Sequence, residues 1–189
     1  MEITKTLYVK NRTEWRNWLS KHQDGKETEI WLVYYRKSSG KPRIPYNDAV
    51  EEALCFGWID SIVKRIDDEK FAQRFSPRRK TSILSRMNIE RVKKLIEEKR
   101  MTKRGLDAIA HRFDPNEKDD FKIAKDILAE IKKDKLAWKH FQQFPERYKR
   151  IRISYVEEIR NYSREQFKRR LRNFIKNTAK NKRFGMVRE

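Results

Sequence analysis

The chain has 189 residues, of which 40% are charged, 37% hydrophobic and 12% aromatic, and its formal net charge is +20. The aromatic share argues against disorder, and the length suits one domain, or one domain with a helical extension, around a true core. No apolar run approaches the ~18 residues of a membrane span, Met1-Glu2-Ile3-Thr4-Lys5 has no signal-peptide core, and a lone Cys55 excludes an internal disulfide, so a reducing, cytoplasmic setting is expected.

Asn11-x-x-Glu14 is a capping pair, and Trp15, Trp18 and Leu19 behind it share one helical face. Glu29 to Arg36 is rich in strand formers, and Ser38-Ser39-Gly40-Lys41-Pro42 breaks the run. A helix is then expected from Asn47, its cap, to Gly57, its left-handed exit, with Asp48 and Glu51 in the first turn. Val50, Leu54 and Trp58 give that helix its apolar stripe, and Cys55 beside Leu54 reads as a small core residue. Ile62 to Ile66, a turn at Asp67-Asp68-Glu69, and Phe71, Gln73 and Phe75 make a β-hairpin that Pro77 closes.

Asn88 is expected to start a helix carrying Ile89, Val92 and Ile96, and Thr102 a second one carrying Leu106 and Ile109. Asp114-Pro115-Asn116-Glu117 reads as a linker, dividing residues 1–115 from a helical region over 116–189. Four apolar stripes follow: Ala124, Ile127, Leu128 and Ile131; Trp138 and Phe141, ended by Pro145; Ile151, Tyr155 and Ile159; and Phe167, Leu171, Phe174 and Ile175 behind a Ser163-x-x-Gln166 cap. The expected fold is α+β: a small, mainly antiparallel sheet with helices, then a C-terminal helical region.

The charge is uneven, with a net +1 over residues 1–60, +8 over 61–115 and +11 over 116–189. The helix after Ser163 presents Lys168, Arg169, Arg170, Arg172 and Lys176 opposite its apolar stripe. Such a face is either a solvated surface or a seat for polyanions, with weak, salt-sensitive, sequence-independent nucleic-acid binding as the expected form. His22, His111 and His140 show no metal-ligand spacing, and no phosphate-binding glycine loop or nucleophile elbow is present, so no metal or cofactor is expected. Glu51 and Glu52 read as helix-surface acids.

The more unusual set is Trp58, Asp60, Ser61, Ser76, Arg78, Ser82 and Asn88, polar groups at element ends around the hairpin. Arg78 after Pro77 could clamp a carboxylate or phosphate. The other reading is structural, with Asp60 paired to Arg78 as a clasp.

Ala49-Val50-Glu51-Glu52-Ala53-Leu54-Cys55-Phe56-Gly57-Trp58-Ile59-Asp60-Ser61, followed by Phe75-Ser76-Pro77-Arg78, resembles the YdeI/OmpD-associated (bacteriocin-protection) family. Trp15-x-x-Trp18-Leu19, Trp31-Leu32, Lys99-Arg100-Met101-Thr102 with Gly105-Leu106, and the tail from Ala137-Trp138 through Phe144-Pro145 to Tyr155-Val156 extend the resemblance over nearly the whole chain. Leu84 stands where that family usually carries a tryptophan. The resemblance implies a role in tolerance to bacteriocins or other envelope stress, and no established reaction. The expectation is therefore a non-enzymatic protein that binds a small-molecule or protein partner, with nucleic-acid binding by the basic half as the alternative.

Overall fold

The computed structural model describes residues 2–116 and 121–187. Among them the chain forms a four-stranded mixed sheet and eight α-helices, an α+β fold with a helical C-terminal region. Two compact units divide it: one runs to Leu84 and includes Arg91–Pro115, the other joins Ser85–Glu90 to the residues from Asn116 onward.

The first unit holds β1 (Thr6–Tyr8), α1 (Arg12–Lys21), β2 (Ile30–Tyr35), α2 (Tyr46–Cys55), β3 (Trp58–Arg65) and β4 (Lys70–Pro77). It also holds α4 (Lys103–Asp107) and the later part of α3 (Arg86–Glu97). The sheet order is β1-β2-β4-β3; β1 lies parallel to β2 and the other two pairings are antiparallel. Three-residue β1 was not legible in the sequence, being too short to show alternation.

Side chains alternate between the faces of a strand. Trp58 and Asp60 on β3 therefore share a face with Phe75 and Gln73 on β4, and with Ile30, Leu32 and Tyr34 on β2. Helices α1 and α2 cover this face: Trp15 packs on Phe75 at 5.4 Å, Trp18 meets Trp58 edge-on at 5.7 Å, and the Trp15 indole donates to the Ala49 carbonyl at 3.0 Å. Trp15, Leu19, Ile30, Leu32, Leu54, Trp58 and Phe75 are all buried.

Local signals placed several ends correctly. Asn11 accepts the Glu14 amide at 3.0 Å, and Glu14 reaches back to the Lys10 amide. Gly57 leaves α2 at φ 74°, in the left-handed region that favours glycine. Thr102 caps α4 by accepting the Gly105 amide. Other ends differ from expectation. Pro45, not Asn47, stands at the N-cap of α2, its fixed φ of −62° suiting the helix entrance, and Asn47 instead accepts a hydrogen bond from Arg91. That start puts Asp48, but not Glu51, in the first turn. α3 begins at Arg86, with the Ser85 hydroxyl accepting the Asn88 amide, so Asn88 lies inside the helix it was expected to start. β3 begins at Trp58, earlier than the alternation from Ile62 suggested. In the short α4, Leu106 is exposed while Ile109 just beyond it is buried.

The second unit contains α5 (Lys125–Lys133), α6 (Lys135–Gln143), α7 (Glu146–Glu157) and α8 (Arg164–Ala179). Its core is Ile127, Ile131, Phe141, Phe144, Tyr148, Ile153, Val156, Phe167, Leu171 and Phe174. Three of the four expected stripes are seated there. α7 differs: it ends at Glu157 and buries Tyr148, Ile151, Ile153 and Val156, while Tyr155 is exposed. Glu90, in this unit's segment, takes a two-pronged bond from Arg150 and a salt bridge from Arg86; burial works to raise its carboxyl, but these charges hold it below the usual glutamate range. Glu117, the last residue of the expected linker, lies outside the described residues.

Candidate functional site

The turn from α2 into β3 aims two residues at the helix-covered face. Trp58 is buried, and two positions on, Asp60 Oδ2 accepts the Tyr46 hydroxyl at 2.9 Å and the Gln73 amide at 2.8 Å. A register shift between Asp60 and Val63 sets Gln73 opposite Val63. Burial, and then the charge of Asp60, push the Tyr46 phenol up to about 12. The same two causes raise the Tyr34 phenol well above the ordinary tyrosine range. The buried Tyr34 hydroxyl has no hydrogen-bond partner among the described residues.

Arg78 closes the corner. Its amide donates to the Gly57 carbonyl at 2.8 Å, extending the β3–β4 ladder. Its side chain is 9% exposed, and Nη1 donates to the Ile83 carbonyl at 3.1 Å. Nε and Nη2 are buried without partners among the described residues, as is Trp58 Nε1. Burial lowers the Arg78 pKa, and Asp60 offsets this in part across space. The expected Asp60–Arg78 ion pair is not formed: Asp60 bonds to Tyr46 and Gln73, and Arg78 to Ile83. The register explains this, since Arg78 sits across from Gly57, whereas Asp60 is opposite Phe75.

The remaining members of the expected set are elsewhere. Ser61 and Ser76 point to the opposite sheet face, where Arg74 Nη1 approaches both hydroxyls and Arg74 Nε donates to Glu29 at 2.6 Å. Period-two alternation separates Ser61 from Asp60 and could have been used to do so. Ser82 Oγ accepts the Arg79 amide in the turn after β4. Asn88 lies in α3 within Ser85–Glu90, the segment that belongs to the second unit.

Sequence reasoning missed a second buried centre. Glu52 is fully buried, not a surface acid: Arg12 Nε and Arg100 Nη2 both bond to Oε1, and Arg16 Nη1 bonds to Oε2 at 2.7 Å. Glu51, also buried, meets Arg12 Nη1 at 2.9 Å. Burial works to lower the Arg12 and Arg16 pKa values, but the Glu52 hydrogen bonds and charge outweigh it and hold both above the usual range. Arg12 and Arg16, spaced i, i+4 on α1, were the available signal. Beside them, burial first and the Glu52 charge second push the Cys55 thiol up to about 11, away from a reactive thiolate.

Residues 7–108 match a family described as Domain of unknown function (DUF8412). The chain belongs to that family. The DUF8412 match runs from within β1 through α4, so it contains both the Asp60–Arg78 corner and the Glu52 cluster, while α5 to α8 lie outside it. No curated protein and no solved structure matches the chain.

Beyond the DUF8412 region, α8 carries the basic face. Lys168, Arg169, Arg172 and Lys176 are exposed, and none is bonded to an acid among the described residues. Arg170 departs from the set: it is half-buried, its carbon 3.9 Å from the centre of the Tyr155 ring, and it donates to the Tyr155 carbonyl at 2.6 Å. No helix among the described residues is long and apolar enough to cross a membrane, and none of their His, Cys, Asp and Glu side chains gather in threes to hold a metal ion.

Proposed function

We propose that this chain is a non-enzymatic binding protein whose Trp58–Asp60–Arg78 corner takes a small polar ligand carrying a carboxylate or phosphate. The observation that carries the reading is Arg78: a nine-tenths buried guanidinium with Nε and Nη2 unpartnered. Buried donors without acceptors cost about 1–3 kcal/mol each, so a protein that keeps them spends stability on something other than its fold. Three of the four unpartnered atoms at the corner, Trp58 Nε1 and the two Arg78 nitrogens, can only donate. An oxyanion is their natural complement, and Asp60 supplies an acceptor for a ligand hydroxyl or amine. The resemblance to the YdeI/OmpD-associated family suggests bacteriocin or envelope-stress tolerance in the cytoplasm as the biological setting.

Calorimetric titration with acetate and citrate at matched ionic strength tests the reading. Binding by the wild-type chain that is lost in Arg78→Met, with the melting temperature kept, is the expected result. Wild-type protein that takes neither anion, or Arg78→Met that binds as well, removes it. Bacteriocin challenge of cells carrying either form then tests the setting.

A second reading rests on a different observation, the four exposed cations of α8 that form no ion pair among the described residues. They support weak polyanion binding, nucleic acid included, with affinity falling steeply as salt rises.

A further inference from the structure

Arg152 on α7 is 7% exposed, and its guanidinium makes no hydrogen bond and no ion pair among the described residues. Its carbon lies 4.1 Å from the centre of the Phe184 ring and 4.8 Å from that of Tyr155. Burial lowers its pKa, the nearby Arg170 charge lowers it further, and the hydroxyls of Tyr148 and Tyr155 offset this only in part. Burial holds the Glu158 carboxyl above the usual glutamate range, and the charge of Arg170 offsets this only in part. The segment after α8 folds over Arg152: the Phe184 amide donates to the Tyr148 hydroxyl at 3.1 Å, and Gly185 sits at φ 92°, where a Cβ would come within 2.9 Å of Arg152 Nη1.

Arg152 lines a cleft of about 610 Å³ together with Arg169, Arg170, Gln166, Asn173 and Tyr155. That volume falls within the range of small-molecule sites. Three arginines, two side-chain amides and the aromatic rings of Tyr155 and Phe184 line it, without a carboxylate among the described lining residues. Aromatic stacking compensates a buried cation only in part, and it leaves the N–H groups in the guanidinium plane free to donate. We propose that this cleft is a binding site for a small organic phosphate monoester, its phosphate held by Arg152 with Arg169 and its organic part beside Tyr155. The planar fork of an arginine matches phosphate oxygens two at a time, and the cleft is several times larger than a bare phosphate needs. The site lies in the helices beyond the DUF8412 match and is independent of the Arg78 corner.

The test is calorimetric titration of the full chain with phenyl phosphate and with inorganic phosphate, in chloride of matched ionic strength. Wild type should bind both, the ester more tightly. Arg152→Met keeps the packing against Phe184 and Tyr155, so it should melt no lower than wild type without phosphate, yet bind roughly tenfold or more weakly. Arg169→Gln, at an exposed position, should also weaken binding without moving the melt, and it decides the matter if Arg152→Met does not fold. Arg78→Met should still bind phenyl phosphate with wild-type affinity, which separates this site from the corner. Absence of wild-type binding, or phenyl phosphate binding that survives Arg152→Met and Arg169→Gln made in the Arg78→Met background, overturns the proposal.

Discussion

Glu52 and Arg78 are both buried charged residues of the first unit, and their surroundings differ in kind. Three arginines from two stretches of chain close on Glu52, engaging both of its oxygens and leaving only Arg12 Nη2 over as a buried donor. Arg78 has one carbonyl for its five N–H donors, and the nearest acid in electrostatic terms, Asp60, is occupied by Tyr46 and Gln73. A satisfied buried centre holds elements together, whereas a half-satisfied one has its unused donors facing the interior at a cost to stability. The first therefore reads as architecture and the second as a site. That contrast makes opposite predictions for removing the charge.

Glu52→Ala should have the largest effect. It takes the shared carboxylate from three arginines, leaving Arg12 to Glu51 and Asp48 and leaving Arg16 and Arg100 without a buried counter-charge, at a cost of roughly 3–5 kcal/mol. Urea unfolding followed by fluorescence of the tryptophans reads this directly. A midpoint that hardly moves would show that the arginines reach solvent freely and that the cluster is not a structural clasp.

Gly105→Ala should come next. A Cβ at Gly105 would lie 2.2 Å from the Cys55 carbonyl oxygen, which also accepts the Thr102 amide and hydroxyl. The backbone of α4 must withdraw from the end of α2, carrying Arg100, just before Thr102, away from Glu52. The loss should be about 1–3 kcal/mol, the range of an overpacked contact. Combining Gly105→Ala with Glu52→Ala sharpens the point: a double variant less destabilised than the sum shows that the glycine acts partly through the cluster.

Arg78→Met belongs at the other side of the comparison, because replacing an unpaired buried cation by an apolar side chain is neutral or stabilising. Its urea midpoint should stay level or rise. A fall as large as that of Glu52→Ala would make Arg78 a structural residue and dissolve the contrast.

What the sequence disclosed follows the same division. Features set by neighbours a few residues away were legible: the Asn11, Thr102 and Ser163 caps, the Gly57 exit, the hairpin and three of the four C-terminal stripes. Contacts made across long stretches of chain were not. Glu52 meets Arg12 forty positions earlier and Arg100 forty-eight later, so composition alone left it a surface acid. At the corner, Trp58, Asp60 and Arg78 were found, but their partners Tyr34, Tyr46 and Gln73 come from β2, α2 and β4 and carried no local signal. In α7 and just after it, Ile151 is buried and Ile159 packs against the helical core as expected, but Tyr155 between them is exposed, because Ile153 and Val156 fill the core on that side.

The smallest effect on stability is expected on α8, at the surface. Lys168 and Arg172 are exposed, one helical turn apart and in no ion pair among the described residues, whereas Arg160 nearby in sequence is tied to Asp126 at 2.6 Å. Two like charges at i, i+4 repel weakly, so Lys168→Gln with Arg172→Gln should shift unfolding by no more than about 0.5 kcal/mol, if anything upward. Binding is where the change would register. Each cation that neutralises a nucleic-acid phosphate releases counterions, so the slope of log affinity against log salt should shallow by about one for each cation removed. Anisotropy titrations of a labelled single strand at several salt concentrations measure that slope, and the double variant should lower it by about two. An unchanged slope would mean that strands bind elsewhere or not at all, and would leave this basic face as a solvated surface.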